Sequence, residues 1–264
     1  MSDLYGVTTA EAVVEWVRSR GVTPLFLAVS GSHMWNLARP DSDLDIRGIY
    51  LDPLEKVLAL HPGQDTVEAV DILGGKVDLQ LYELGKALRM LDNNNGNLVE
   101  LFLADTAFYS APTPQFWEQL AKRFLTKSLA KYYVGYYTSQ RNRAAKNRGS
   151  KALVYTYREA LAGIVLLETG ELIHDFWALK ERFRRLHPEW DFALLEAFMR
   201  KEYWREPVSE EPMRRFEAEW DRLLKMLCQA EEHSTLPGYH GQTRRLNQIL
   251  LDARLGRGEW RELS

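Results

Sequence analysis

The spacing of apolar residues changes several times along the first hundred residues, which is typical of helices packed on a sheet. A helical stripe of apolar residues follows Thr9, a residue type that commonly caps a helix. Residues 25–29 form a short, continuously apolar run that predicts a buried strand. A Gly-Gly pair between two alternating segments further on predicts a β-hairpin. Alternation of apolar and polar residues predicts strands at 44–51, 66–72 and 76–82.

From Leu84 to the end of the chain, apolar residues recur at helical spacing. Proline and glycine residues divide this part of the sequence into successive helices. The proline-containing stretch 111–114 is the expected boundary between the two parts. We therefore predict an α+β protein in which residues 1–110 form a sheet-containing domain and residues 111–264 form an all-helical domain.

The composition is that of an ordinary folded protein, with 45% hydrophobic and 27% charged residues, which excludes disordered and collagen-like classes. A formal net charge of -3 excludes nucleic-acid binding over the whole surface, so any basic surface must be local. The single cysteine, Cys228, excludes an internal disulfide and a cysteine metal cluster, and its apolar helical surroundings predict a buried side chain. Since no signal peptide or membrane-spanning run is apparent, we expect a soluble, cytoplasmic protein with no membrane partner.

Three aspartates on two predicted strands form the most informative cluster of the sequence. Asp43 and Asp45 open the strand at 44–51, and because strand side chains alternate, they project from the same face. Asp78 lies on the strand at 76–82 and joins them if the two strands are neighbours. Clustered carboxylates repel one another, and ligands that are all oxygen suit Mg²⁺ or Mn²⁺. Two such ions can clamp the attacking and leaving oxygens of a phosphoryl or nucleotidyl transfer.

A glycine and a serine supply the complementary half of the predicted site. Gly31 and Ser32 follow the buried strand at 25–29 and precede a short helix predicted at 34–38. The backbone N–H groups at the start of this helix and the Ser32 hydroxyl can hold a phosphate. The segment that begins at Asp41 superficially resembles a calcium-binding loop, but its sixth position is Ile46 rather than glycine. We therefore exclude calcium and interpret the cluster as a phosphate and magnesium site.

Segments 29–33 and 40–50 resemble the DNA polymerase beta superfamily of nucleotidyltransferases. The resemblance is closest to the bacterial and phage branch of predicted nucleotidyltransferases, some of which are found beside RNA-repair ligases. It continues through three later segments, 77–84, 97–101 and 167–172. It implies a small mixed sheet with flanking helices, a phosphate loop at Gly31 and Ser32, and a nucleoside triphosphate as substrate. It also implies that two divalent ions, Mg²⁺ or Mn²⁺, are held by Asp43, Asp45 and Asp78.

Cations strongly outnumber acids between residues 121 and 160. Ten cations stand against Glu159 alone: Lys122, Arg123, Lys127, Lys131, Arg141, Arg143, Lys146, Arg148, Lys151 and Arg158. Six tyrosines lie among them: Tyr132, Tyr133, Tyr136, Tyr137, Tyr155 and Tyr157. Cations and aromatic rings together favour a polyanion such as RNA, although a solvated helix face with core tyrosines is the alternative. The candidates for binding the nucleotide are Lys151, Tyr155 and Arg158, which share one helix face.

These features predict an enzyme of the EC 2.7.7 type that transfers a nucleoside monophosphate to a hydroxyl acceptor and releases pyrophosphate. An RNA end is the expected acceptor, and AMP transfer to a protein partner or to a small molecule are the alternatives. A non-catalytic nucleotide or RNA sensor is the alternative from a different class, but such a protein has no reason to retain three mutually repelling carboxylates. The sequence leaves two roles open for each of two further residues near the predicted site. His33 suits a phosphate contact or a local capping or packing role, and Arg47 suits a counter-ion of the carboxylates or a substrate contact.

Overall fold

A computed structural model describes residues 3–200 and 208–263 of the protein. The chain divides into two compact units. The first, the sheet unit, comprises Met1–Phe124 and His240–Ser264, and the second, the helical unit, comprises Leu125–Tyr239. The structure is 56% helical and has a small mixed sheet of five strands near the N-terminus, followed by a helical region. The predicted α+β fold class is therefore confirmed.

Within its described residues, the sheet unit contains seven strands: β1 (Asp3–Leu4), β2 (Thr8–Thr9), β3 (Thr23–Val29), β4 (Leu44–Leu51), β5 (Thr66–Ile72), β6 (Val77–Glu83) and β7 (Ala107–Ser110). β1 pairs with β2, and the other five strands form one sheet in the order β5-β6-β4-β3-β7. β4 and β6 run parallel, whereas the other neighbouring pairs of this sheet are antiparallel. The antiparallel pairing of β5 with β6 is the predicted hairpin.

Helices flank the sheet and then dominate the chain. The sheet unit contains α1 (Ala10–Arg18), α2 (Gly31–Met34), α3 (Leu54–Val57), α4 (Leu84–Asp92), α5 (Gly96–Leu103) and α6 (Pro114–Lys122). The helical unit contains α7 (Leu129–Asn147), α8 (Ser150–Thr169), α9 (Phe176–Leu186), α10 (Ala193–Arg200) and α11 (Glu210–His233). The chain then returns to the sheet unit with α12 (Thr243–Arg254) and a 3₁₀-helix (Gly258–Leu263).

One face of the five-stranded sheet is covered by α1. Thr9 caps this helix, because its hydroxyl accepts a hydrogen bond of 3.3 Å from the backbone N–H of Ala12. Val13 and Val17 are fully buried in one cluster with inward-facing strand residues such as Ile46. Burying each such side chain contributes about 1.5–3 kcal/mol to folding. The alternation that predicted the strands reflects this buried face.

The opposite face is covered by helices over only part of its length. Phe26 of β3 lies 5.1 Å from the ring of Phe102 and 5.8 Å from the ring of Trp117, measured between centroids. Asp45 and Asp78 project from this same face, beyond these aromatic rings, and both are half-buried. The uncovered end of the sheet therefore carries the polar residues of the predicted site.

The C-terminal residues complete the sheet unit. Arg254 of α12 donates hydrogen bonds to the Glu83 carboxylate and, over 2.9 Å, to the carbonyl oxygen of Asp52. At the other end of the helix, Thr243 donates to the Asp92 carboxylate over 2.7 Å. The buried His240 packs its ring against a phenylalanine of the same unit, with 4.5 Å between centroids. These contacts anchor α12 beside α4.

The compact units have different bounds from the predicted domains 1–110 and 111–264. Helix α6 belongs to the sheet unit because Trp117 is fully buried against Phe26 and Phe102, and α12 belongs there through its polar anchors. The sequence pattern shows that each helix has an apolar stripe, but it does not show which core covers that stripe. The functional division into a catalytic and a substrate-binding domain stays a prediction.

Replacing Arg254 by alanine should lower the free energy of unfolding by about 3 kcal/mol, because it leaves the buried Glu83 carboxylate without its cation. Urea unfolding followed by circular dichroism measures this change. Arg89→Ala is the matched control, since Arg89 is 67% exposed where it pairs with Asp65 and should contribute at most about 1 kcal/mol. Equal stability changes in the two variants would contradict the anchoring role of Arg254.

The helical unit is built around α8, which is buried along most of its length. A Cβ atom at Gly163 would lie 2.7 Å from Leu227 and 2.8 Å from Tyr133, so this glycine allows α7 and α11 to approach α8 closely. The predicted burial of Cys228 is wrong: its side chain is exposed, because α11 turns Leu223 and Leu227 toward the core instead. Within the described ranges, no helix has the length and apolar character that crossing a bilayer requires.

Candidate active site

The turn after β3 is tied to the start of β4 by backbone contacts. Ser30 donates its N–H to the carbonyl oxygen of Asp45 over 2.8 Å, and its hydroxyl donates to the same oxygen over 3.3 Å. Ser30 and Ser32 are almost fully buried, with 2% and 5% of their surface exposed. The predicted phosphate loop is thus a fixed turn held against the strand that carries Asp45.

Gly31 lies directly against the Asp45 carboxylate. Its φ of +61° is in the left-handed region, which glycine adopts without a steric penalty. A Cβ atom at this position would come within 2.1 Å of Asp45 Oδ2, far inside van der Waals contact. Glycine is therefore required both by the backbone and by the neighbouring carboxylate.

The parallel pairing of β4 and β6 brings two of the three predicted aspartates together. Asp45 and Asp78 are Cα partners in this ladder, so their side chains project side by side from the same face. Asp43 is exposed and lies just before β4, two residues from Asp45. Leu44 and Val77 point the other way into the core cluster under α1. The structure therefore places Asp45 and Asp78 next to each other, and Asp43 lies just before the first residue of β4.

A row of polar residues continues beyond the aspartates on the same face. Arg47 is the Cα partner of Gln80, two residues along from Asp45 and Asp78. The Gln80 amide donates to the Glu68 carboxylate over 2.6 Å and accepts from the Tyr82 hydroxyl over 2.7 Å. The sequence analysis did not predict these contacts. The spacing of Asp78, Gln80 and Tyr82 along one strand could have shown that Gln80 and Tyr82 lie on the same face as Asp78.

The Asp78 carboxylate has a backbone donor from β5. The N–H of Asp71 donates to Asp78 Oδ1 over 3.1 Å. Asp71 itself is exposed and has a left-handed φ of +54°. No sequence signal indicates this contact, because it depends on an irregularity in the pairing of two strands.

His33 lies on the turn after β3, where it interacts with Tyr5 and Asp45. Its ring centroid is 4.5 Å from that of Tyr5. Burial lowers the pKa of His33, while the Asp45 carboxylate and a hydrogen bond to the backbone of Ser42 act in the opposite direction. Burial therefore favours a neutral imidazole beside the turn.

The three residues predicted to bind the nucleotide lie in the first half of α8. Lys151 is exposed, and its ammonium group lies 5.8 Å from the centroid of the Tyr155 ring. Arg158 is buried, with 1% of its surface exposed, and its guanidinium lies 2.8 Å from the Glu159 carboxylate. A role of Lys151 and Tyr155 in nucleotide binding stays a prediction. The same holds for Arg158, although its pairing with Glu159 also gives it a structural role.

The tyrosines of the basic segment fall into two groups. Three are buried: Tyr133, Tyr137 and Tyr157. The Tyr137 hydroxyl donates to the carbonyl oxygen of Trp220 over 2.6 Å, and burial raises the pKa of Tyr137 to about 12. In contrast, Tyr132 is half-buried and Tyr136 is exposed, and their rings lie 4.7 Å apart. Only part of the segment is therefore available as a stacking surface.

The cations of the same segment also differ in their surroundings. Arg141 lies 2.7 Å from the Asp221 carboxylate of α11. Arg143 and Lys146 are exposed on α7, and their spacing places them on the same side of the helix as Tyr136. This side of α7 combines two cations with an exposed aromatic ring.

The side chains of Asp43, Asp45 and Asp78 offer carboxylate oxygens, which are the ligands that Mg²⁺ prefers in proteins. Among residues 3–200 and 208–263, no group of three or more histidine, cysteine or acidic side chains is arranged to hold a metal ion. Each carboxylate next to the sheet already has a neighbour, Gly31 for Asp45 and the Asp71 N–H for Asp78. The carboxylate oxygens of Asp45 and Asp78, on one face of the sheet, fit a divalent ion by their chemistry.

Comparisons with known proteins identify the family of this chain. Residues 6–252 match the profile of RlaP, the RNA repair pathway DNA polymerase beta family. An uncharacterized protein of Methanocaldococcus jannaschii, MJ0002, is 27% identical over 236 residues, which are 88% of this chain and 94% of that protein. An uncharacterized protein of Bacillus subtilis, YcgL, is 32% identical over 105 residues, which are 40% of this chain and 39% of that protein.

The family match spans both compact units, and the parallel pairing of β4 with β6 includes Asp45 and Asp78, two of the three aspartates named by the resemblance. The superfamily generally uses nucleoside triphosphates and divalent metal ions. The chain belongs to the RNA repair pathway DNA polymerase beta family and is a nucleotidyltransferase of that superfamily.

Proposed function

We propose that this nucleotidyltransferase transfers a nucleoside monophosphate from a nucleoside triphosphate to a hydroxyl group of an RNA end and releases pyrophosphate. The observation that carries the proposal is the register of β4 and β6, which sets Asp45 and Asp78 side by side beside the Gly31 turn. In this proposal residues 1–110 hold the catalytic groups, residues 111–264 bind the nucleotide and the acceptor, and the enzyme acts in the cytoplasm.

The phosphate side of the site is the turn after β3. Ser32 and the backbone N–H groups at Gly31 bind the outer phosphates of the triphosphate, since N–H groups and a hydroxyl are the donors that phosphate oxygens accept from. Lys151, Tyr155 and Arg158 of α8 bind the nucleotide. The superfamily's use of triphosphates supports this assignment.

The reaction side of the site is the row of aspartates. Asp43 and Asp45 would hold two Mg²⁺ or Mn²⁺ ions, and Asp78 would hold one of them. Such ions neutralise the charge that develops on the attacking and leaving oxygens of the transfer. Asp78 accepts the proton of the acceptor hydroxyl, whose oxygen attacks the α-phosphorus while the bond to pyrophosphate breaks. No nucleophile from the protein is needed.

The choice of RNA as acceptor has two supports. The family to which the chain belongs acts in RNA repair. The side of α7 that carries Tyr136, Arg143 and Lys146 combines cations with an exposed ring, as surfaces for single-stranded nucleic acid do. AMP transfer to a protein, transfer to a small molecule and a non-catalytic sensor are the outcomes that the test must separate.

The test is incubation of the full-length protein with Mg²⁺, nucleoside triphosphates labelled at the α-phosphate, and either total RNA or RNA-free protein lysate. We expect label in the RNA and none in the protein. Label in protein alone, or in a small-molecule fraction alone, would overturn the RNA acceptor but keep the transferase chemistry. Binding of the triphosphate without transfer to any fraction would overturn the catalytic assignment in favour of a sensor.

Replacing both Arg143 and Lys146 by alanine should weaken binding of single-stranded RNA and lower the magnitude of the slope of log K against log salt by roughly 1.4. Fluorescence anisotropy of a labelled oligonucleotide at several salt concentrations measures both quantities. The matched control is Arg141→Ala, because Arg141 is paired with Asp221 and should leave the slope almost unchanged. A double variant with the wild-type slope would show that RNA binds elsewhere.

A further inference from the structure

We propose that an irregularity in β5 is a positioning element for Asp78. The backbone N–H of Asp71 holds one oxygen of the Asp78 carboxylate and leaves the other oxygen for a divalent ion. This inference rests on the proposed function, since it gives Asp78 the role of a metal ligand. Asp71 is then a positioning residue that acts through its backbone and not through its side chain.

The irregularity is a β-bulge. The register between β5 and β6 shifts by one residue between Ala69 and Ile72. Two residues of β5, Val70 and Asp71, therefore lie opposite Asp78 alone. Bulges of this kind redirect side chains and interrupt the regular ladder, and they are over-represented next to active sites. Here the single residue opposite the bulge is the proposed catalytic aspartate.

The bulge changes what the N–H of Asp71 can reach. In a regular antiparallel ladder, the N–H groups of a strand point along the sheet, either to the neighbouring backbone or away from it. The left-handed φ of +54° at Asp71 takes this N–H out of the ladder, and it donates to Asp78 Oδ1 over 3.1 Å. Residues other than glycine rarely adopt this conformation, and such strained positions persist where the surrounding structure enforces them.

The hydrogen bond has two effects on the site. It restricts rotation of the half-buried Asp78 carboxylate, because Oδ1 is held by the Asp71 N–H. It also places a donor beside two neighbouring carboxylates, those of Asp45 and Asp78, and so offsets part of their repulsion. Contacts of this kind orient metal ligands, and losing one typically costs about 10–100-fold in metal affinity.

The side chain of Asp71 is exposed, so the residue type at this position matters because it must tolerate the left-handed backbone conformation. Glycine and asparagine tolerate a left-handed φ, whereas a β-branched residue strongly disfavours it. Asp71→Gly and Asp71→Asn should therefore keep the N–H in place. Asp71→Val should displace it without changing the chain length, and deletion of Val70 should restore regular pairing and remove the bulge.

The experiment is a titration of full-length protein with Mn²⁺, with free Mn²⁺ measured by electron paramagnetic resonance and folding measured by the thermal midpoint. We expect Asp71→Gly and Asp71→Asn to bind Mn²⁺ within about twofold of the wild type. Asp71→Val and the Val70 deletion should bind it about tenfold or more weakly. Val70→Ala is the matched control, because it keeps the bulge and its N–H and should bind Mn²⁺ as the wild type does.

The outcomes separate this inference from the proposed function. If Asp78→Asn binds Mn²⁺ normally, the proposed function fails. If Asp78→Asn loses Mn²⁺ but the valine variant and the deletion keep it, only the positioning role is overturned. A loss of Mn²⁺ binding in Asp71→Asn would also overturn it, because the Asp71 carboxylate would then be a ligand itself. Where the valine variant does not fold, the deletion decides, and where neither folds, a normal Mn²⁺ affinity in Asp71→Gly is required.

Discussion

Asparagine in place of Asp78 should lower the rate of nucleotidyl transfer by about a thousandfold, within the range that general-base catalysis contributes. The substitution keeps the size of the side chain but removes both the proposed proton acceptor and a metal ligand. Because it also removes the repulsion between neighbouring carboxylates, the thermal midpoint should stay the same or rise. Label transfer from a triphosphate and differential scanning fluorimetry measure the two quantities on the same preparation.

Asp41→Asn is the matched control for this variant. Asp41 lies on the turn before β4, where its carboxylate is 3.6 Å from Arg39, and it has no part in the proposed reaction. The control should transfer label at nearly the wild-type rate. Normal turnover by Asp78→Asn would contradict the assignment of the active site, and so would equal losses in both variants.

Alanine at position 31 should reduce nucleotidyl transfer by about a hundredfold or more, in the range reported for the loss of one preorganised catalytic group. The added Cβ would lie 2.1 Å from Asp45 Oδ2, so the carboxylate or the turn must move. The left-handed φ of +61° adds strain of about 1–2 kcal/mol for a residue with a side chain. Transfer assays and urea unfolding together separate the loss of activity from the loss of stability.

Gly21→Ala controls for the backbone strain alone. Gly21 has a left-handed φ of +71°, close to that of Gly31, but a Cβ atom there would meet no atom within 4 Å. Both variants should lose similar stability from strain, whereas only Gly31→Ala should lose transfer. If the two variants lose the same fraction of activity, the contact between Gly31 and Asp45 has no functional importance.

The strands of the sheet could be predicted because one face of each is buried. Residues 44–51 alternate in the sequence, and the structure buries Leu44 and Ile46 while leaving Asp45 and Arg47 half-buried. This alternation also predicted that Asp43 and Asp45 share a face. That Asp78 lies beside them depends on the parallel pairing of β4 with β6, which local periodicity does not specify.

Other features depend on tertiary contacts and were therefore missed or misjudged. The bulge at Asp71 comes from a single extra residue in β5. An aspartate does not predict a bulge, because aspartate is also common in turns. Cys228 lies among leucines in the sequence, but side-chain directions rotate around a helix with a period of 3.6 residues. The Cys228 side chain therefore faces outward although its neighbour Leu227 is buried. For the tyrosines of α7, the sequence gives the spacing, but only packing against α8 and α11 decides which rings are buried.

The anchoring of α12 has a consequence for protein synthesis. Glu83 leaves the ribosome long before Arg254, and the whole helical unit is made between them. Domains usually fold as they emerge, in order from the N-terminus. The buried Glu83 carboxylate of the sheet unit can pair with its cation only after Arg254 has been synthesised. A product that ends before Arg254 would lack this ion pair, so synthesis that stops early leaves a destabilised sheet unit that proteases can remove.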